Sequence, residues 1–189
     1  MSVAIIAGKL RGKKLQTASG ASIRPTPGVV RERLFNWLAT ESAGARVLDL
    51  FAGTGALGLE AWSRGAERVD FVESAAAHRR ILEKNLASCG PDAKLRLLGH
   101  DALSVLPRLA RQYDLVLADP PFAAGWPERL RPLLLGENSP VHAGGWLYLE
   151  ANAAELWQES ELPAGWEWYR SGRCGDSHYV LLHLQEGEA

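Results

Sequence analysis

An α/β fold with a mostly parallel sheet and helices on both faces is predicted by three features of this 189-residue chain. From Arg46 onward, short apolar runs alternate with segments of helical periodicity, as in successive strand-helix-strand units. A glycine-rich loop, "AGTGALG", follows the first of those runs and opens a helix. The first 40 residues differ in charge and in pattern, so the expected division is 1–40, a basic arm and helix, and 41–189, the sheet domain.

"SVAIIAG" and "KKLQT" read as short strands around the basic turn "KLRG", a hairpin-like arm. In "RPTPGVVRERLFNWLATE", Thr26 caps a helix with Pro27 in its first turn, and Val30, Leu34, Trp37 and Leu38 recur at helical spacing. Arg31 and Arg33 are then expected to face away from that apolar stripe. Strands follow at "RVLDLF", "RVDFVE", "KLRLLGH", "DLVLAD" and "GGWLYLEA". Helices separate them near Ala56 to Ser63, Ala75 to Ala87, Ala102 to Arg111 and Pro127 to Leu135. Last, "WEWYRSGR" and "SHYVLLHLQ" flank a tight polar turn, an antiparallel pair closing one edge.

With 47% hydrophobic and 23% charged residues, the composition is that of a soluble chain able to bury a sizeable core. No apolar run approaches the roughly 20 residues of a membrane helix. The charges near the start follow a very short apolar patch, the reverse of a secretory signal, so the cytoplasm is expected. Cys89 and Cys174 are read as reduced thiols, and the five histidines show no metal-ligand spacing, so no metal is expected. A net charge of −1 conceals +6 in residues 1–40 and −7 in the remainder. Lys9, Arg11, Lys13, Lys14, Arg24 and Arg31 supply most of that positive charge, either as a polyanion footprint or as a solvated face.

Ligands of open parallel α/β sheets bind outside the carboxyl ends of the strands. Four strand ends carry chemistry: "DLFAGTGALGLE", then Glu73, then His100 and Asp101, then Asp119, Pro120, Pro121 and Phe122. Gly53, Gly55 and Gly58 satisfy G-x-G-x-x-G, and Glu73, 20 residues past Gly53, is placed to accept hydrogen bonds from two ribose hydroxyls. That chemistry serves a nicotinamide dinucleotide and S-adenosylmethionine alike. Asp49, inside the strand before the loop, favours the cationic sulfonium over an anionic pyrophosphate. In "LVLADPPF", the Asp119 carboxylate and the Pro120 carbonyl form rigid acceptors for the two N–H groups of an exocyclic amine. The doubled proline holds them in place, and Phe122 is positioned to stack on the base.

"DLFAGTGALGLEAWSRGA" with "DPPF" resembles class I S-adenosylmethionine-dependent methyltransferases acting on exocyclic amines. With "IIAGKLRGKKL" and "RPTPGVVRERLFNWL" added, the chain resembles the RsmD family, the bacterial 16S ribosomal RNA guanine-N2 methyltransferases, from Ala4 to about Leu184. The resemblance implies a Rossmann-like seven-stranded sheet, a cofactor site at Asp49, Gly53, Gly55, Glu73 and Asp101, and a target-base site at Asp119 to Phe122. It also implies a guanine presented within the small ribosomal subunit, the family's guanine 966. Where the family continues "RPT" with a polar stretch, this chain has Pro27, Gly28 and Val29. A monomer is expected. Three alternatives stand beside this reading: an adenine-N6 DNA methyltransferase, disfavoured by the short chain; a nicotinamide-dependent oxidoreductase; and a ribosome-assembly protein that keeps the fold without catalysis.

Overall fold

Val47, Leu48, Val69 and Phe71 are buried completely, because a parallel strand inside an α/β sheet has no wet face; Asp70, between the last two, is buried as well and accepts two hydrogen bonds from Arg96. The computed structural model describes residues 3–17, 26–99, 101–110, 112–122 and 125–187. These fall into two compact units, 1–102 and 103–189.

The first unit begins with the expected arm. Strands β1 (Val3–Ala4) and β2 (Lys14–Leu15) pair antiparallel around a 3-10 turn at Gly8–Leu10. Helix α1 (Gly28–Trp37) follows, with Pro27 rather than Thr26 as its N-cap residue. β3 (Arg46–Asp49), α2 (Ala56–Ser63), β4 (Arg68–Phe71), α3 (Ala76–Ala87) and β5 (Leu95–Leu97) complete it, with β3, β4 and β5 in parallel register.

In the second unit the helix expected over Ala102 to Arg111 breaks early. α4 (Ala102–Val105) passes into a 3-10 turn at Leu106–Arg108, because Pro107 removes a backbone donor there; Arg111 lies outside the described residues. β6 (Tyr113–Ala118) pairs parallel with β7 (Val141–Ala151), whose register shifts between Tyr113 and Leu115. Between them lies α5 (Trp126–Leu134), opened by Gly125 in the left-handed conformation. β8 (Trp166–Cys174) and β9 (Ser177–Leu184) form the closing antiparallel pair, with β9 against β7 and β8 at the edge. The strand order is β5-β4-β3-β6-β7-β9-β8, the expected seven-stranded, mostly parallel sheet. Among the described residues, no helix is long and apolar enough to cross a membrane.

One side-chain expectation is overturned. Arg31 does not face solvent: it is 4% exposed, within 3.5 Å of Glu60 on α2, and donates to the Ala4 carbonyl at 3.1 Å. The buried face of α1 is wider than expected: Val30, Leu34 and Leu38 are buried, Arg31 and Phe35 join them, and Trp37 is only half-buried. Glu60, completely buried, explains this. Its two oxygens also accept the N–H groups of Ile6 (2.8 Å) and Ala7 (3.1 Å) and the Arg64 Nε (2.9 Å). One carboxylate thus holds the arm, α1 and α2 together.

Candidate active site

The first unit brings Asp49, the glycine loop, Glu73 and Asp101 to the carboxyl ends of three adjacent parallel strands. Asp49 is the last residue of β3 and 2% exposed, and its Oδ2 accepts the Gly58 N–H at 2.9 Å. Gly58 admits no side chain, since a Cβ there would sit 2.4 Å from the Phe71 ring. Gly55 has φ +86° and caps α2, a left-handed conformation that favours glycine at the turn from β3 into α2.

Glu73 is 8% exposed and grips two loops. Oε2 accepts the Gly53 N–H and Oε1 the Ala75 N–H, each at 2.8 Å, which ties the glycine loop to the start of α3. An ionised carboxylate has about four lone-pair sites, so both oxygens keep capacity for further donors such as a ribose diol. Asp101 is exposed and immediately precedes α4, while its neighbour His100 lies outside the described residues. Sequence reading missed Asn85 on α3. This buried amide accepts the Gln16 N–H at 2.9 Å and donates to the Gln16 carbonyl at 3.1 Å and the Thr54 carbonyl at 2.9 Å, fixing the glycine loop to the segment after β2. Its signal was one polar residue on the inward face of α3, beside Leu82.

Two carboxylates, a backbone turn of left-handed glycines and free acceptor capacity fit a ligand that combines a diol with a positive charge, as S-adenosylmethionine does.

In the second unit, β6 is buried along nearly its whole length and ends in Asp119, half-buried, followed by buried Pro120. Pro121 is exposed, and Phe122 has 44% of its surface open, unusual for a ring so close to a core strand. Four residues later α5 starts with Trp126, half-buried under the Arg129 guanidinium at 4.3 Å. Asp119 adjoins a buried acid that sequence reading also missed, Glu150 at the end of β7. Burial, then the charge of Asp119, pushes the Glu150 carboxyl up to about 9. The Tyr148 hydroxyl is pushed well above its ordinary range, first by burial and then by Glu150 and Asp119.

The basic residues of the arm differ in what they touch. Arg11 and Lys14 are exposed. Lys9 lies with its ammonium 3.3 Å from the centre of the Trp62 ring, and Lys13 donates to the Ser88 carbonyl at 2.6 Å. Arg24 lies outside the described residues, and Arg31 is interior.

Comparison with known proteins joins these features. The family model described as "Conserved hypothetical protein 95" matches residues 3–183. Ribosomal RNA small subunit methyltransferase D of Escherichia coli is 37% identical over 195 residues, covering 99% of this chain and 93% of the relative. The protein of the same name from Haemophilus influenzae is 37% identical over 152 residues, 78% of each chain. The solved structure of yhhF from Escherichia coli, 36% identical, superposes with a TM-score of 0.86 over 98% of this chain and 99% of that one. On these comparisons the chain belongs to the RsmD family of S-adenosylmethionine-dependent methyltransferases.

Proposed function

We propose that this enzyme methylates the exocyclic N2 of a guanine in the 16S RNA of the small ribosomal subunit, the family's guanine 966, acting as a cytoplasmic monomer. The observation that carries the proposal is the Asp119-Pro120-Pro121-Phe122 segment: a largely buried strand leading into a carboxylate, two residues of nearly fixed φ, and an aromatic ring open to an incoming base.

Asp49, Gly53, Gly55, Glu73 and Asp101 hold the cofactor, with Glu73 accepting from the ribose diol and Asp49 supplying negative charge. When bound, S-adenosylmethionine offers an electrophilic methyl group on a sulfonium. Asp119 and the Pro120 carbonyl accept the two N–H groups of the target amine and turn its lone pair toward that methyl. Phe122 stacks on the base. Alignment of this kind supplies roughly 7 to 11 kcal/mol of barrier reduction in well-oriented systems. The methylated nitrogen, now acidic, gives its proton to Asp119 or to water. A flipped or already unstacked nucleotide is required, because an amine inside a paired stack cannot be aligned.

Residues 1–40 form the RNA-contacting arm, with Lys9, Arg11, Lys13, Lys14 and Arg24 as its phosphate contacts; the interior position of Arg31 removes it from that set. Reversal of two exposed charges, Arg11→Glu with Lys14→Glu, is expected to weaken subunit binding. It should also flatten the slope of log affinity against log salt by about one for each phosphate that is no longer neutralised. An unchanged affinity and slope place the footprint elsewhere. An adenine-N6 DNA methyltransferase uses the same tetrapeptide, so transfer is assayed side by side on stripped DNA and on unmodified small subunits. Incorporation into the subunits alone supports the proposal, and incorporation into DNA alone reverses it.

A further inference from the structure

Asn85 is 2% exposed on α3, where Leu82, three residues earlier, is the other buried side chain. Both reach the turn that leads from β3 into α2. A β-carbon built on Gly55 would lie 2.7 Å from Leu82 Cδ1, so Leu82 packs directly against that turn. Asn85 Nδ2 donates to the Thr54 carbonyl at 2.9 Å and to the Gln16 carbonyl at 3.1 Å, and Oδ1 accepts the Gln16 N–H at 2.9 Å. Both amide hydrogens are thereby used, and no other side chain of this size offers two donors and an acceptor. The Thr54 carbonyl belongs to the planar peptide that carries the Gly55 N–H, which donates to the Ala52 carbonyl at 2.6 Å. Holding that carbonyl sets the orientation of the whole peptide, while Glu73 holds the N–H of Gly53 in the same loop.

Gln16 directly follows β2, and its side chain is exposed, so its backbone makes the contact. Earlier in the arm, α2 supplies the fastenings: Glu60 accepts the Ile6 and Ala7 N–H groups, and the Ser63 hydroxyl accepts the Leu10 N–H at 2.8 Å. The arm is therefore held on α2 at one end and on Asn85 at the other. An amide bonded to Thr54 alone could turn about its last side-chain torsion, which is a soft one. The paired bonds to Gln16 remove that freedom and keep the second Nδ2 hydrogen on the Thr54 carbonyl. We propose that Asn85 is the positioning residue of the cofactor loop and that the arm, through the Gln16 backbone, is its brace. The arm then has a role in cofactor binding beside the RNA contact proposed above. This rests on the reading of the glycine loop as the seat of the cofactor.

The test uses Asn85→Asp, Gln16→Pro, the double variant and Glu73→Ala in the full-length enzyme, with calorimetric titration of S-adenosylhomocysteine and amide hydrogen exchange of the protein without ligand. Asn85→Asp keeps the acceptor for the Gln16 N–H but sets oxygen against the carbonyls of Gln16 and Thr54. Affinity should fall about 10- to 100-fold, the range that loss of an orienting partner costs at metal ligands. Gln16→Pro removes only the donor on the arm, at an exposed side chain, and should weaken binding about three- to tenfold, as loss of one hydrogen bond does. Because both changes act through one amide, the double variant should bind no more weakly than Asn85→Asp alone. In each single variant, exchange at the Gly53 and Gly55 amides should accelerate, while the Val72 amide, bonded to the Asp49 carbonyl at 2.8 Å, stays protected. Wild-type affinity in Asn85→Asp or in Gln16→Pro overturns the proposal. So do losses that add in the double variant, or exchange that rises equally at Val72, the mark of a general loosening. Should Asn85→Asp fail to fold, the affinity and exchange of Gln16→Pro decide alone. Glu73→Ala separates the two levels: wild-type affinity there removes the cofactor-site reading itself, whereas weak binding in Glu73→Ala beside wild-type binding in Asn85→Asp removes only the positioning role.

Discussion

Asp119→Ala is expected to lower the rate of methyl transfer by about 10²- to 10³-fold, the range that loss of one preorganised hydrogen-bonding group costs elsewhere. Affinity for S-adenosylhomocysteine should stay within about twofold of wild type, because the deleted interactions are to the acceptor and are strongest in the reacting complex. The fold should survive the change. Glu150, buried next to Asp119, is already pushed toward its neutral form, so removing its neighbour strands no charge in the interior. Asp119→Asn keeps one carbonyl acceptor and should fall between the two. Single-turnover rates paired with calorimetric titration separate the effects, and a wild-type rate in Asp119→Ala would end this account of the tetrapeptide.

The second large effect is on stability. Glu60→Ala removes a completely buried carboxylate that receives Ile6, Ala7, Arg64 and Arg31, and leaves the Arg31 guanidinium interior and without its counter-charge. Breaking a buried pair by deleting one partner typically costs about 3–5 kcal/mol. That is a large share of the roughly 5–15 kcal/mol that stabilises a domain, and it corresponds to a fall in Tm of about 10 °C for a chain of this size. The loss should be local in origin. Hydrogen exchange at the Ile6 and Ala7 amides should accelerate first, since their acceptor is gone while the strands of the sheet retain theirs. A melting temperature within a degree or two of wild type, with those amides still protected, contradicts the assignment of Glu60 as the tie between the arm and α2.

Glu60 also marks where the sequence was legible and where it was not. Strands β3 and β6 could be read because burial on both faces leaves an apolar run, and α2 because a glycine turn precedes it. Asp49, Glu73 and Asp119 could be read because strand ends are where such sheets bind ligands, and the structure puts each at a strand end. Arg31 was misread because an arginine flanking an apolar stripe is expected at the surface, and only its partner on α2 accounts for its place in the interior. The signal was present: a lone Glu in "ALGLEAWS", an otherwise apolar helix, requires a buried donor somewhere. Glu150 in "WLYLEA" is the same signal in a strand, and its neighbour could not be named until the register of β6 against β7 set it beside Asp119. The early end of α4 needed only Pro107, which a stricter reading of helix breakers supplies.

The central claim concerns the acceptor atom, and one measurement addresses it directly: transfer of tritium from labelled S-adenosylmethionine to small ribosomal subunits from cells lacking the endogenous guanine-N2 methyltransferase, followed by digestion to nucleosides. The account predicts label in N2-methylguanosine, and a loss of about 10²- to 10³-fold in its rate of appearance with Asp119→Ala. Label in any other nucleoside, or none while S-adenosylhomocysteine still binds, contradicts it.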